Sequence, residues 1–291
     1  MITWHSPAKI NLYLAVTGCR EDGFHEIDSL VTLLDFGDSL QVGLSQTGRD
    51  EYRCNIEGLP FDSGNLVYRA LELYRCKTGF NHPVSIDLEK RIPMGSGLGG
   101  GSSNAATLLK AVNALNPDPV STALLAEWSA DLGSDCPLFF GSGLLRIRGR
   151  GERVEPFPCR FFDQGRKLKL AVFHPGFPVE AAWAYKTLRN RFSAHYTDSR
   201  TVEEELACWS EHPTPWIDSH RNDLCIPVDS KYIAIPTLKK EFTKRFHPFF
   251  MSGSGSACFC VLEPDDDENA IVEFVKSCWG NAVFVCICVT L

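Results

Sequence analysis

The glycine-rich segment at residues 95–101 constrains what this chain can fold into more than any other part of the sequence. Six of its seven residues are glycine or serine, and it lies between a strand-like run at residues 84–89 and a helix-like run at residues 102–115. Glycine tolerates positive φ and carries no Cβ, so this backbone can wrap around an anion, and the N-terminus of the following helix attracts negative charge. A flexible linker needs neither the strand nor the helix. The pattern therefore predicts a phosphate-binding loop.

The residues present narrow the type of phosphate loop. A Walker A loop ends in Gly-Lys-Ser or Gly-Lys-Thr, and this segment contains no lysine. The spacing Gly95-x-Gly97-x-x-Gly100 matches the dinucleotide fingerprint, but two predicted helices follow it, and the acidic residue near the required distance, Asp118, lies between prolines. A protein-kinase loop joins two strands and accompanies a His-Arg-Asp motif, which is absent here. A nicotinamide oxidoreductase is a disfavoured alternative that a nucleotide-binding screen would decide.

Length and charge exclude other classes of protein. A chain of 291 residues exceeds one typical hydrophobic core, which predicts two domains. The formal net charge of -7 argues against nucleic acid as a partner, because a nucleic-acid-binding face is normally basic. No apolar run is long enough to cross a membrane, and residues 1–8 lack the features of a secretory signal. We therefore expect neither nucleic acid nor a membrane as a partner.

The twelve cysteines do not form a disulfide or metal-binding pattern. There is no Cys-x-x-Cys pair, and the closest spacings, Cys258-x-Cys260 and Cys286-x-Cys288, lie in apolar runs where cysteine acts as a small buried hydrophobe. We expect reduced cysteines and a cytoplasmic protein. The lack of a transit peptide favours a bacterial source over a plastid.

Hydrophobic periodicity predicts an α+β protein in which strands and helices alternate without regular βαβ units. The pattern breaks near residues 155–158, which predicts domains at residues 1–155 and 156–291. The predicted strands are 9–14, 27–35, 39–44, 52–57, 84–89, 144–148, 153–155, 168–173, 257–262 and 282–289. The predicted helices are 65–78, 102–115, 122–132, 179–191, 201–211, 223–246 (interrupted by prolines) and 269–278.

Several motifs resemble those of a known superfamily. The run Pro-x-Gly-x-Gly-Leu-Gly-Gly-Gly-Ser-Ser-Asn-Ala-Ala at residues 93–106 is similar to the phosphate loop of the galactokinase, homoserine kinase, mevalonate kinase and phosphomevalonate kinase superfamily. Its triple glycine resembles, within that superfamily, the kinases of 4-diphosphocytidyl-2-C-methyl-D-erythritol in the non-mevalonate isoprenoid route. Residues 6–12 (Ser-Pro-Ala-Lys-Ile-Asn-Leu) and 20–25 (Arg-x-Asp-Gly-Phe-His) resemble further motifs of these kinases. Residues 253–257 (Gly-Ser-Gly-Ser-Ala) are similar to the superfamily's second glycine turn.

The resemblance implies a two-domain small-molecule kinase fold. It comprises an N-terminal mixed α/β domain that binds ATP and a C-terminal ferredoxin-like α/β sandwich domain that binds the substrate. The implied cofactors are ATP and Mg²⁺. The residues implied in ATP binding are Pro93, Met94, Gly95, Ser96, Gly97, Leu98, Gly99, Gly100, Gly101, Ser102 and Ser103.

The resemblance also assigns the catalytic residues. Asp135, in a Gly-x-Asp-x-Pro segment, matches the family's catalytic aspartate, although a turn aspartate is more often bonded to its own backbone. Lys9 matches the lysine that lies beside that aspartate, although a strand lysine is usually exposed. A cation there would keep the aspartate ionised and stabilise the developing alkoxide. We therefore expect a Lys9–Asp135 pair.

The implied substrate is a small molecule that carries a cytidyl group, diphosphocytidyl-methylerythritol. By resemblance Phe24 and Tyr185 stack on the pyrimidine, His25 gives polar contacts and Asn11 reaches toward the substrate. Phe24 departs from the tyrosine expected there, which loses a hydroxyl but keeps the stacking face. Trp183 is an alternative to Tyr185.

The metal ligands and the assembly are less defined. Magnesium would bridge the ATP phosphates, and Ser102 is a candidate ligand. We expect a monomer or a homodimer. The alternatives are another kinase of the superfamily, acting on a small alcohol that offers no ring to stack, and a protein that only binds nucleotide. The presence of both Lys9 and Asp135 argues against the binding protein.

Overall fold

A computed structural model describes residues 1–212 and 219–291. The described chain forms two compact units, each built from separate segments. The first unit contains Met1–Ala8, Phe36–Ile92 and Gly99–Gly141, and the second contains Lys9–Asp35, Pro93–Leu98 and Ser142–Leu291. Strands β1 (Ile2–Cys19) and β2 (His25–Leu44) run through both units. The division expected at residues 155 and 156 stays a prediction.

The first unit packs two helices against a small sheet. Residues 39–44 of β2 pair antiparallel with β4 (Val84–Glu89), and β4 pairs in parallel with β3 (Glu51–Cys54). Helices α1 (Leu66–Thr78) and α2 (Gly100–Leu115) bury their apolar faces in one core with these strands. Helix α3 (Thr122–Ser129) and a 3₁₀ helix (Pro137–Phe140) follow.

Strand β2 is a continuous strand of 20 residues, so the prediction of two strands broken at residues 36–38 is wrong. Glycine within a strand can mark a close approach of two backbones, and Gly37 is such a position. A Cβ at Gly37 would lie 2.3 Å from the Ser6 carbonyl oxygen. The missing side chain therefore lets β2 pass over residues 6–7 without a break.

The second unit contains a β-hairpin and a four-stranded sheet. The predicted hairpin is present as β5 (Leu144–Gly149) and β6 (Arg153–Pro156), and β5 pairs antiparallel with residues 27–32 of β2. The sheet comprises β7 (Lys169–His174), β8 (Phe249–Met251), β9 (Cys258–Leu262) and β10 (Phe284–Val289). Its order is β10-β7-β9-β8 and its neighbours are antiparallel, which confirms the ferredoxin-like prediction.

The second unit also contains helices, and several of them share one hydrophobic core with this sheet. The helices are α4 (Arg160–Asp163), α5 (Ala181–Phe192), α6 (Ser199–Glu211), α7 (Cys225–Lys231), α8 (Ala234–Phe242) and α9 (Glu268–Trp279). The helix predicted at residues 223–246 is two helices, each with a proline in its first turn, where the missing N–H has no intrahelical partner to lose. Helix α3 ends earlier than predicted, at Ser129. Within the part of the chain that is described, no helix is long and apolar enough to span a membrane.

Strand β1 is tied to residues far along the chain. The Leu14 N–H donates to the Arg221 carbonyl oxygen at 2.8 Å, and the Asp223 N–H donates to the Leu14 carbonyl oxygen at 3.0 Å. The Asp223 carboxylate accepts from the Val16 N–H at 2.8 Å. These bonds join the second half of β1 to residues 221–223 within the second unit.

Candidate active site

The glycine loop has a backbone shape that requires glycine. Gly95 and Gly97 adopt φ of 65° and 81°, in the left-handed region. A Cβ at Gly97 would lie 2.4 Å from the Ser252 carbonyl oxygen. Conformation and space therefore both exclude a side chain at Gly97.

Helix α2, which continues from this loop, presents an N-terminus without a side-chain cap. Its N-cap residue is Gly99, and its first turn contains no acidic residue. The first N–H groups of a helix lack intrahelical partners, and together with the helix dipole they attract an anion. Ser102 is partly exposed, whereas Ser103 is buried and its hydroxyl accepts a hydrogen bond from Ser6 at 2.8 Å. Of the two serines, Ser102 is the one that a phosphate or a cation can reach.

The second glycine turn, residues 252–257, packs directly against the glycine loop. The Ala257 N–H donates to the Ser96 carbonyl oxygen at 2.9 Å, and the Ser252 hydroxyl donates to the Gly97 carbonyl oxygen at 3.3 Å. The Asn222 side-chain amide donates to the carbonyl oxygens of Met251 and Gly253 at 2.8 Å and 2.9 Å. Asn222 thus holds the turn in place, and no motif in the sequence had indicated this role.

Lys9 and Asn11 lie beside this second turn. Both are buried, with 5% and 6% exposed, so Lys9 is not the exposed strand lysine of the ordinary case. The Lys9 ammonium donates to Asn11 Oδ1 at 2.6 Å, and Asn11 Nδ2 donates to the Ser29 hydroxyl at 2.9 Å. A Cβ at Gly253 would lie 3.2 Å from Lys9 Nζ and 3.1 Å from Asn11 Oδ1. The glycine therefore allows the turn to approach the lysine closely.

Asp135 lies in the first unit, in the turn that precedes the 3₁₀ helix. The Cys136 N–H donates to the Gly133 carbonyl oxygen at 3.0 Å, which closes the turn. Asp135 is partly exposed. Burial raises the pKa of the neighbouring Cys136 thiol to about 12, so that thiol stays protonated at neutral pH. The Lys9–Asp135 pair stays a prediction.

An aromatic cluster forms around His25. The rings of His25 and Tyr185 lie 5.0 Å apart, and Tyr196, which the sequence did not single out, contacts His25 edge-on at 6.1 Å. His25 is 7% exposed, and its Nε2 is buried without a hydrogen-bond partner among the described residues. Burial, followed by the charge of Arg189, lowers the pKa of His25, which favours the neutral imidazole.

Phe24 and Trp183 occupy different surroundings. Phe24 is 50% exposed, and the Arg150 guanidinium lies 4.9 Å from its ring centroid. Trp183 contacts Tyr232 edge-on at 5.7 Å, so its ring belongs to another cluster. Of the two alternatives for a clamp with Phe24, Tyr185 is the one that adjoins His25.

Among the described residues, the side chains that usually bind metals do not cluster. Over residues 1–212 and 219–291, the side chains form no group of three or more His, Cys, Asp or Glu that could hold a metal ion. Ser102, which is partly exposed, fits a single oxygen contact to a magnesium ion held mainly by phosphates.

Family models match both parts of the chain. The model for the GHMP kinases N terminal domain matches residues 65–143, and the model for the GHMP kinases C terminal region matches residues 218–281. A homoserine kinase structure from Cytophaga hutchinsonii shares the fold, with a TM-score of 0.72 at 18% identity over 98% of this chain and 94% of that one. The matches, the ferredoxin-like sheet and the two glycine turns define the class, which is that of the GHMP kinases.

Closer relatives define the family within this class. A chloroplastic 4-diphosphocytidyl-2-C-methyl-D-erythritol kinase of Arabidopsis thaliana is 38% identical over 91% of this chain and 70% of that relative. The enzyme of that name from Protochlamydia amoebophila is 36% identical over 88% of this chain and 83% of that relative. A crystal structure of 4-(cytidine 5'-diphospho)-2C-methyl-D-erythritol kinase covers all of both chains with a TM-score of 0.79 at 31% identity. The chain belongs to the 4-diphosphocytidyl-2-C-methyl-D-erythritol kinases, as its motifs predicted.

Proposed function

We propose that this kinase transfers the γ-phosphate of ATP to the 2-hydroxyl of 4-diphosphocytidyl-2-C-methyl-D-erythritol, with Asp135 as the general base and Lys9 as its cationic partner. The observation that carries the proposal is the buried Lys9 ammonium, bonded to Asn11 beside the second glycine turn. Burying an ammonium is costly, so a buried lysine beside a glycine turn favours a role in the reaction over the usual structural role of a strand lysine.

The proposed chemistry follows from phosphoryl transfer in general. The 2-hydroxyl oxygen attacks the γ-phosphorus while its proton passes to the Asp135 carboxylate, and the bond to the bridging oxygen of ADP breaks. The Lys9 ammonium stabilises the developing alkoxide and favours the ionised form of Asp135. When bound with ATP, Mg²⁺ neutralises phosphate charge, and Ser102 is the residue proposed to contact it.

The cytidyl group would be held by the cluster around His25. Cytosine would stack between Phe24 and Tyr185, since every base offers a π-face to an aromatic ring. A neutral imidazole carries one donor and one acceptor, and His25, whose ring adjoins Tyr185, would give polar contacts to the base. Asn11 would extend the polar contacts toward the methylerythritol end. Mevalonate, homoserine and galactose lack a base, which is why the cluster supports a cytidyl substrate.

The test is ADP release with Mg-ATP, using diphosphocytidyl-methylerythritol, mevalonate, homoserine and galactose as acceptors. The variants are Asp135→Asn and Lys9→Met, with Asp131→Asn as a matched control because Asp131 is an exposed carboxylate of the same segment. We expect turnover with the cytidyl acceptor alone, a loss of about 10²-fold or more in kcat for Asp135→Asn, and little change for the control. Phosphorus NMR of the product identifies the hydroxyl that is phosphorylated.

Each part of the proposal has an outcome that would overturn it. Turnover with another alcohol would refute the substrate and leave the class of reaction intact. An unchanged kcat in Asp135→Asn would refute the assignment of the base. Binding of ATP without turnover on any of the four acceptors would refute the proposed reaction.

A further inference from the structure

An aromatic cluster in the second unit has no place in the proposed chemistry. Phe177 and Tyr232 stack with ring centroids 5.1 Å apart and planes 9° apart. Trp183 meets Tyr232 edge-on, and the Lys231 ammonium lies 4.2 Å from the Trp183 centroid and 4.9 Å from the Tyr232 centroid. The Tyr232 ring thus contacts Phe177, Trp183 and Lys231, and these contacts restrict its movement.

The residues after the stacked Phe177 contact the glycine loop. The Val179 N–H donates to the Gly95 carbonyl oxygen at 3.2 Å. Pro178 lies so close to Gly95 that a Cβ there would be 2.6 Å from the proline Cβ. The position of Gly95 is therefore set by Pro178 and Val179.

Phe177 also contacts the second glycine turn. The Ser256 hydroxyl donates to the Phe177 carbonyl oxygen. The neighbouring Ala257 N–H donates to the Ser96 carbonyl oxygen at 2.9 Å, which links the turn to the loop. One short segment, residues 177–179, thus touches both glycine turns, and Tyr232 covers the ring that anchors this segment.

We propose that Tyr232 is a positioning residue for the nucleotide, which acts through Phe177 on the glycine loop and on the second glycine turn. The inference rests on the proposed role of residues 95–101 in holding phosphate. A nest of N–H groups binds an anion well only when its backbone is held in the binding shape before the ligand arrives. Without the stack, residues 177–179 and the glycine loop that they contact can move. Part of the free energy of ATP binding is then used to order the loop, so the affinity for ATP falls.

The test compares ATP affinity among folded variants. Tyr232→Ala removes the stack, Tyr232→Phe keeps it, and Ser256→Ala removes the hydrogen bond at the other end of the same connection. Phe246→Ala is the matched control, because Phe246 is a partly buried aromatic of the same unit whose ring contacts are Phe242 and Phe274. Calorimetry gives the Kd for Mg-ATP, and steady-state kinetics give kcat and the KM of each substrate.

We expect Tyr232→Ala to raise the Kd for ATP about tenfold, which corresponds to the upper range for loss of one aromatic pair. Tyr232→Phe should restore the Kd to within about twofold, Ser256→Ala should raise it in the same direction, and the KM of the alcohol should not change. Phe246→Ala should lower the melting temperature without changing the Kd.

Three outcomes would overturn the proposal: an unchanged Kd in folded Tyr232→Ala, an equal rise in Phe246→Ala, or no rescue by Tyr232→Phe. If Tyr232→Ala does not fold, an unchanged Kd in Ser256→Ala overturns it alone. Gly97→Ala separates this result from the function on which it rests. If Gly97→Ala also leaves the Kd unchanged, the loop does not hold the nucleotide and the proposed function fails as well.

Discussion

Replacing Gly97 with alanine tests whether the glycine loop must keep its present backbone to bind ATP. Two costs follow from the structure. Gly97 has φ of 81°, and a left-handed alanine costs about 1 kcal/mol more than glycine. The new Cβ would also lie 2.4 Å from the Ser252 carbonyl oxygen, whereas ordinary carbon–oxygen contacts begin at about 3.3 Å. The loop and the second glycine turn must therefore separate by about 1 Å, and a misplacement of that size can cost about 10²-fold in rate.

The control for Gly97→Ala is Gly143→Ala. Gly143 has φ of 70° but no atom within 4 Å of an added Cβ, so its variant bears the conformational cost without the clash. Denaturant unfolding measures stability, and ADP release measures the KM of ATP and kcat. We expect Gly143→Ala to lose about 1 kcal/mol of stability and Gly97→Ala to lose more, because it adds the clash. Only Gly97→Ala should lose kcat/KM for ATP, by about 10²-fold. Equal kinetics in the two variants, or wild-type kinetics in Gly97→Ala, would refute the reasoning.

Other predictions follow from single contacts. Asn222→Ala removes the donor to two carbonyl oxygens and should lower the free energy of unfolding in urea by about 2 kcal/mol. Asn222→Asp should lower it at least as much, because a carboxylate cannot donate a hydrogen bond. An unchanged free energy of unfolding in these variants would contradict this. Arg150→Ala removes the cation from the Phe24 ring and should raise the KM of the cytidyl substrate about two- to fivefold at constant kcat. Arg150→Lys should give an intermediate KM. A change in the KM of ATP instead would contradict this prediction. Burial, followed by the charge of Lys239, lowers the pKa of His220 to about 3 in the folded protein. As the pH falls, the unfolded chain therefore binds a proton at this histidine before the folded protein does. The contribution of His220 to stability is full above pH 7 and declines as the pH falls from about 6.5 toward 3. Between pH 7 and 5 the loss should reach at most about 2 kcal/mol in urea unfolding, and His220→Phe should remove this part; an equal pH dependence in the variant would exclude His220 as its source.

Local signals in the sequence predicted the elements that depend on local physics. The strand at residues 84–89 alternates strictly and was predicted with its observed bounds. Helix α1 was predicted from its helical periodicity between Asn65 and Gly79. In the structure Asn65 accepts a bond from the Val67 N–H and Gly79 adopts φ of 72°, so both caps lie next to the helix in sequence. Helix α2 begins two residues before its predicted start, since the first turn tolerates glycine better than a helix interior does.

Features that depend on contacts between distant segments could not be predicted from the sequence. Strand β8 has three residues, too few to show a period, and its existence depends on pairing with β9. Tyr196 has no motif around it and gains its place only by packing on His25. The motif that contains Lys9 indicated a function by resemblance, but the burial of Lys9 could not be inferred from the sequence. Alternation along β1 predicts one buried face, whereas the fold buries both faces of this part of the strand.

The bonds between β1 and residues 221–223 have a consequence for how the protein is made. Val16 and its partner Asp223 are 207 positions apart, and a ribosome adding roughly 5 to 20 residues per second needs roughly 10 to 40 seconds to bridge that interval. During this time the apolar residues of β1 that will be buried in the second unit have no native cover, whereas every segment of the first unit is complete once Gly141 has emerged. The nascent chain therefore carries an exposed, aggregation-prone strand during this interval. Chaperones that shield such segments on the ribosome should raise the yield of folded enzyme during synthesis more than during refolding from urea.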